Sequence, residues 1–108
     1  MKQLKTYAIC VNALKLLGDY WTLRILEALA SQSMRYCEIQ RAVDNVNPVT
    51  LTNRLQKMER AGLIYRTAEV EGKVSVSYSL APLGTKALPV LTAIDSFSKA
   101  SAKANSFL

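Results

Sequence analysis

Apolar residues recur along this chain with two different periods, and the change of period divides it. Between Tyr7 and Leu17, Ile9, Ala13, Leu16 and Leu17 repeat at helical spacing, with Cys10 and Leu14 beside them. Gly18 is placed to end that helix. Asp19 is placed to cap a second, Tyr20 to Ala30, whose apolar stripe is Trp21, Ile25, Leu26 and Leu29. After the polar break Ser31-Gln32-Ser33, a third helix over Tyr36 to Val43 is expected to bury Tyr36, Ile39 and Val43. Asp44 to Asn47 is turn-like. Asn47-Pro48 is a strong helix start, because Asn is a favoured N-cap and Pro at the first helical position has no N–H to leave unbonded. The fourth helix runs to Ala61 and stops at Gly62.

Beyond Gly62 the period becomes two. Leu63 to Val70 is rich in β-formers, and Val74, Val76, Tyr78 and Leu80 alternate with Ser75, Ser77 and Ser79. Glu71-Gly72-Lys73 between them predicts a hairpin. Helical spacing returns from Leu83 in Leu88, Leu91, Ile94 and Phe97, with Pro89 as a kink or a first-turn residue. From Ser98 the chain is small and polar apart from its last two residues, and is expected to fray. The reading is one domain over residues 1–108, with a core over about 7–97. It is mainly α with a β-hairpin wing. Two short helices joined by a tight turn, with a hairpin directly after the second, is the winged helix-turn-helix order.

Composition then narrows the chemistry. Half of the 108 residues are apolar, which excludes disorder by composition. The net charge of +6 and pI near 9.6 point to an anionic partner, either nucleic acid or an anionic membrane surface. No apolar run is long enough to span a bilayer, and Lys2 and Lys5 precede no signal-peptide core. The chain has no histidine, so the commonest general base and the commonest zinc ligand are missing. Cys10 and Cys37 form no CxxC pair, and unpaired thiols suit the cytoplasm. No metal, cofactor or enzymatic activity is expected. A nucleophilic Cys10 lacks both a histidine base and a visible oxyanion loop.

The fourth helix carries the most specific signal. With Leu51 at zero and about 100° per residue, Leu55 and Met58 fall within about 40° of it and define a core face. Val49, Asn53, Gln56 and Arg60 fall opposite, with Thr50 and Lys57 on one shoulder. Asn and Gln can bond adenine in two places, and Thr can bond a base edge or touch a thymine methyl. Helix N-termini do most base reading, so Val49, Thr50 and Asn53 are candidate readers, and Lys57 and Arg60 candidate phosphate anchors. Arg54 sits at the core boundary, within reach of either a phosphate or an internal carboxylate. A plain solvated face is the alternative for this helix. The charge, the helix order and the hairpin position weigh against it.

Several stretches resemble the HxlR-type regulators, relatives of the MarR group. They are Cys10, Leu14-Lys15-Leu16-Leu17-Gly18-Asp19-Tyr20-Trp21-Thr22-Leu23, Met34-Arg35-Tyr36-Cys37-Glu38-Ile39, and Pro48-Val49-Thr50-Leu51-Thr52-Asn53-Arg54-Leu55. Leu63-Ile64-Tyr65-Arg66, Ser77-Tyr78-Ser79-Leu80 and Leu88-Pro89-Val90-Leu91 continue the likeness. The resemblance implies a cytoplasmic homodimer joined through its first and last helices, with Ile9, Leu88, Leu91 and Ile94 at the interface. It implies two recognition helices in successive major grooves of double-stranded DNA. Arg35 and Lys73 complete the implied DNA-contacting set of Val49, Thr50, Asn53, Arg54, Lys57 and Arg60. It also implies oxidant or electrophile sensing through Cys10, beside the plainer role of a small packing residue. Any small-molecule effector is left unidentified, and Cys37 is expected to pack. Two departures stand out. The wing holds Glu69 and Glu71 where relatives often place proline, and Ala81 stands where they place a capping Thr, at a cost of about 1 kcal/mol. The acidic wing favours a second reading, a winged helix used for protein interaction.

Overall fold

A computed structural model describes residues 8–101, apart from the side chains of Glu71 and Val74. Helices α1 (Val11–Leu17) and α2 (Tyr20–Leu29) come first, then strand β1 (Met34–Arg35). The helix-turn-helix pair follows as α3 (Tyr36–Ala42) and α4 (Pro48–Arg60), then strands β2 (Ile64–Glu71) and β3 (Lys73–Leu80), and α5 (Pro82–Ala100). This is a mainly helical winged helix-turn-helix, as the two periods predict. Helix α1 begins at Val11 and not near Tyr7: residues 8–10 are not helical, and Cys10 is an extended N-cap, while Tyr7 itself lies outside the described residues.

Local chemistry sets most boundaries. The Asp19 carboxylate accepts the Thr22 N–H at 2.9 Å and starts α2. Asn47 Oδ1 accepts the N–H of Val49 at 2.8 Å and of Thr50 at 3.4 Å, and Pro48 opens α4. Gly62, at φ 82°, reverses the chain after α4 in a conformation that side chains resist. The turn joining α3 to α4 also uses the left-handed region, at Asp44 (φ 54°) and Asn45 (φ 53°). These are the non-glycine types that tolerate it best.

The sheet differs from expectation. It has three antiparallel strands in the order β1-β3-β2, with Met34 opposite Tyr78 and Arg35 opposite Ser77. A two-residue strand leaves no periodic signal, so β1 could not be read from the pattern. The hairpin register places Ile64 opposite Leu80, Arg66 opposite Tyr78 and Ala68 opposite Val76. That face turns inward at its base, where Ile64 and Tyr78 are buried.

The core joins Ile25, Leu26 and Leu29 of α2, Ile39 of α3 with Val43 at its end, and Leu51, Leu55 and Met58 of α4. Leu63, Ile64, Tyr78 and Ala87 close it from the sheet and α5. Each fully buried aliphatic side chain contributes about 1.5–3 kcal/mol, so three of them on α4 outweigh any one polar contact of that helix. Tyr36, expected to be buried, is only half-buried, because its hydroxyl is drawn toward α4.

The last helix is longer than expected and begins earlier. Pro82 takes the first-turn position, and Pro89 lies inside an uninterrupted helix. Pro89 cannot donate to the Thr85 carbonyl; both residues sit at exposed positions, where that loss is least costly. Ala81 is the N-cap and no side chain replaces the missing Thr hydroxyl. Ala81 is buried, and its N–H donates to the Leu63 carbonyl at 2.9 Å. A Cβ on Gly84 would run into that same carbonyl. Small residues at both positions let the first turn of α5 lie directly on the start of β2.

Candidate nucleic-acid interface

The orientation of α4 is fixed on its inner face and at one flank. Leu51, Leu55 and Met58 are buried. Arg54 donates through Nε to Asp19 Oδ2 and through Nη2 to Oδ1, both at 2.9 Å. Such a paired fork specifies angle as well as distance. The same carboxylate also accepts from the Thr22 hydroxyl at 2.9 Å, and Thr22 is buried. The Arg54 guanidinium, aided by the Thr22 donors, holds the Asp19 carboxyl well below the usual carboxylate range against the cost of burial. Of the two partners open to Arg54, the structure gives it the internal carboxylate.

The turn before α4 is tethered as well. Arg24 Nη1 donates to Asp44 Oδ2 at 2.7 Å and to Tyr20 Oη at 2.7 Å, and Tyr20 Oη donates to Asp44 Oδ2 at 3.2 Å. Arg24, and after it Tyr20, lowers the Asp44 pKa. Arg24 also bonds Glu27 on its own helix at 3.0 Å. Gln40 donates to the Val46 carbonyl at 3.0 Å. From the α3 side, Tyr36 Oη donates to the Pro48 carbonyl at 3.1 Å and lies 3.2 Å from Thr52 Oγ1.

What this leaves free is the outward face of α4. Val49 is 69% exposed, and Asn53, Lys57 and Arg60 are exposed with it. Among the described residues, Lys57 and Arg60 enter none of the ion pairs, which involve Arg24, Arg54 and Lys99. Thr50, on the same flank as Arg54, is half-buried. Arg35 is exposed at the N-cap of α3, where its own N–H donates to Glu38 Oε1 at 2.8 Å. Lys73 is exposed at the hairpin turn beside Gly72. The candidates therefore lie on α4, except Arg35 at the start of α3 and Lys73 at the wing tip.

One basic residue near α4 is absent from the set expected from the sequence. Arg66 of β2 is exposed and lines a crevice of about 400 Å³ with Tyr36, Thr52, Gln56, Glu59 and Tyr78. The strand alternation would have revealed its direction, since it shares a face with Ile64.

Both cysteines are free and exposed. For Cys37 this corrects the expectation of packing. Ile39 and Val43 form the inner side of α3, and a residue two before Ile39 falls about 200° away. Cys10 is the N-cap of α1, beside exposed Ile9 and Val11. Of the residues expected at a dimer interface, Ile9 and Ile94 are 59% and 50% exposed, whereas Leu88 and Leu91 are half-buried. Leu91 packs on the core.

The HxlR-like helix-turn-helix family model matches residues 16–106, most of the chain. The chain belongs to that family. The HTH-type transcriptional regulator YdzF of Bacillus subtilis is 33% identical over 79 residues, 72% of each chain. A MarR-family transcriptional regulator of Porphyromonas gingivalis superposes with a TM-score of 0.77 at 28% identity, over 91% of this chain and 97% of that one. The diamide-treated form of YodB from B. subtilis superposes with a TM-score of 0.75 at 25% identity, over 87% and 96%. The relatives of this HxlR-like chain are thus transcriptional regulators, and its fold is theirs.

Proposed function

We propose that this HxlR-like protein is a dimeric, sequence-specific regulator of transcription that binds double-stranded DNA. Helix α4 enters the major groove and the β2–β3 wing lies at the flanking backbone or minor groove. The observation that carries this reading is the α4 helix itself. Its core face and its Arg54 flank are locked to the domain, while Val49, Asn53, Lys57 and Arg60 stand outward with no ion pair to hold them among the described residues. Asn53 is a reader of adenine, and Lys57 and Arg60 are anchors to phosphate or guanine. In this reading Arg54 orients the helix from behind. Arg35 supports from the start of α3 and Lys73 from the wing.

Selection from random duplex DNA with the purified protein tests it. The expected product is a palindrome with half-sites about 34–36 Å apart, bound with steep salt dependence. Asn53→Ala is expected to relax sequence preference, and Lys57→Gln to weaken all sequences alike. No enrichment, together with binding indifferent to salt, would favour a protein-interaction role for the wing.

Cys10 is proposed as a thiol sensor on the strength of its exposure beside the apolar start of α1. Diamide is then expected to release wild-type protein from the selected duplex and to leave Cys10→Ser bound. Equal responses remove Cys10 from the mechanism.

A further inference from the structure

The crevice between α4 and the hairpin lies where a strand of the duplex has to pass. If α4 occupies a major groove and the hairpin the adjoining minor groove, one sugar-phosphate strand separates the two. That strand crosses the gap between helix and wing. The flank of α4 bordering this gap carries Thr52, Gln56 and Glu59, and Arg66 enters it from β2.

Donor bookkeeping narrows what meets the strand. A carbonyl only accepts, so the single Tyr36 hydroxyl proton goes to Pro48. The Tyr36 oxygen must then accept from Thr52, which commits the Thr52 proton. Among the described residues, Gln56, Arg66 and the hydroxyl of the largely buried Tyr78 remain as crevice donors without an intramolecular partner; Gln56 and Arg66 are the exposed ones, and Arg66 is the cation there. Glu59 lines the same crevice with no ion pair to Arg66 and opposes an incoming phosphate. Its charge also favours keeping Arg66 near the crevice in the absence of DNA.

We propose that Arg66 and Gln56 hold a phosphate of the strand between the two grooves, with Glu59 as the opposing charge that moderates affinity. This rests on the DNA-binding reading and adds to it a link that couples recognition helix and wing on one backbone. Arg66 suits the role because its planar fork takes two phosphate oxygens at once.

The test measures binding of the full-length protein to a labelled mixed-sequence duplex long enough for one dimer, between about 50 and 200 mM salt. Arg66→Gln is expected to lower the slope of log K against log salt by about 0.9 for each phosphate no longer neutralised. That is on the order of tenfold in affinity per phosphate near 0.1 M salt. Its thermal midpoint stays at the wild-type value, since the exposed side chain has no ion-pair partner to give up. Arg66→Lys keeps the slope and binds somewhat more weakly. Glu59→Gln tightens binding, and the gain shrinks when combined with Arg66→Gln. A wild-type slope in Arg66→Gln overturns the proposal while leaving DNA binding intact. Should that variant fail to fold, Glu59→Gln decides alone, and no gain in affinity overturns the proposal. Wild-type protein that binds without salt dependence overturns both this phosphate site and the reading beneath it.

Discussion

Asp19 does two things with one carboxylate. It caps α2 through Thr22 and clamps α4 through Arg54. The two roles are separable, because Asn keeps a capping oxygen and loses the charge. Asp19→Asn is expected to cost about 1–2 kcal/mol, the scale of a partly exposed hydrogen bond to a charged group. Asp19→Ala also loses the cap, for about 1 kcal/mol more. Urea unfolding of both variants reads the difference, and equal losses would mean that the cap contributes nothing beyond the ion pair. The pH dependence follows from the lowered pKa of Asp19. In the folded state the carboxyl stays ionised after its unfolded counterpart protonates. Its stabilisation is therefore complete above the ordinary carboxylate value, near pH 4, and is lost as pH falls below it. Asp19→Asn should flatten that acid limb of the stability curve.

At the scale of the element, α4 has faces with different duties, and mutation can tell them apart. Leu55 is buried against the core, so Leu55→Ala is expected to cost about 2–5 kcal/mol. Lys57 is exposed, and its replacement by Gln should change stability by less than about 0.5 kcal/mol. Chemical unfolding and DNA binding, measured on the same two proteins, are expected to respond to different variants. A large stability loss in Lys57→Gln would mean that this face serves the fold. The element order, the caps at Asp19 and Asn47, and the inner face of α4 were all legible in the sequence. Each depends on residues within a few positions of one another. The side of Cys37 was legible too, since the period that puts Ile39 and Val43 inside turns it outward, and the general tendency of free thiols to be buried pointed the wrong way; β1 left no signal because two residues carry no period.

Over the whole molecule, apolar surface remains uncovered on the first and last helices. Ile9, Val11 and Leu14 of the α1 region are exposed, and so are Leu83 and Ile94 of α5. Helix α1 has no buried residue of its own. An apolar helix face left open on a small domain is the kind of surface that a second copy covers. We propose that this face forms the dimer. Ile94→Glu is expected to give a folded monomer with much weaker operator binding, since one protomer engages only one half-site. Sedimentation and circular dichroism check it together, and a dimer that survives the substitution places the interface elsewhere.

The sequence by itself determined which segments are helices and which form the hairpin, where most of them begin and end, and which side of α4 faces the core. These are set by side-chain period and by capping bonds between near neighbours. The family, too, was legible there as a resemblance. Tertiary structure decided what required distant parts to meet. It chose the carboxylate of Asp19 for Arg54, thirty-five positions earlier in the chain. It tied the α3–α4 turn to α2 through Arg24 and Asp44. It also brought Arg66 and Gln56 to one crevice, on elements whose own patterns say nothing of each other. Such pairings depend on how helices and sheet pack, and no local period encodes that.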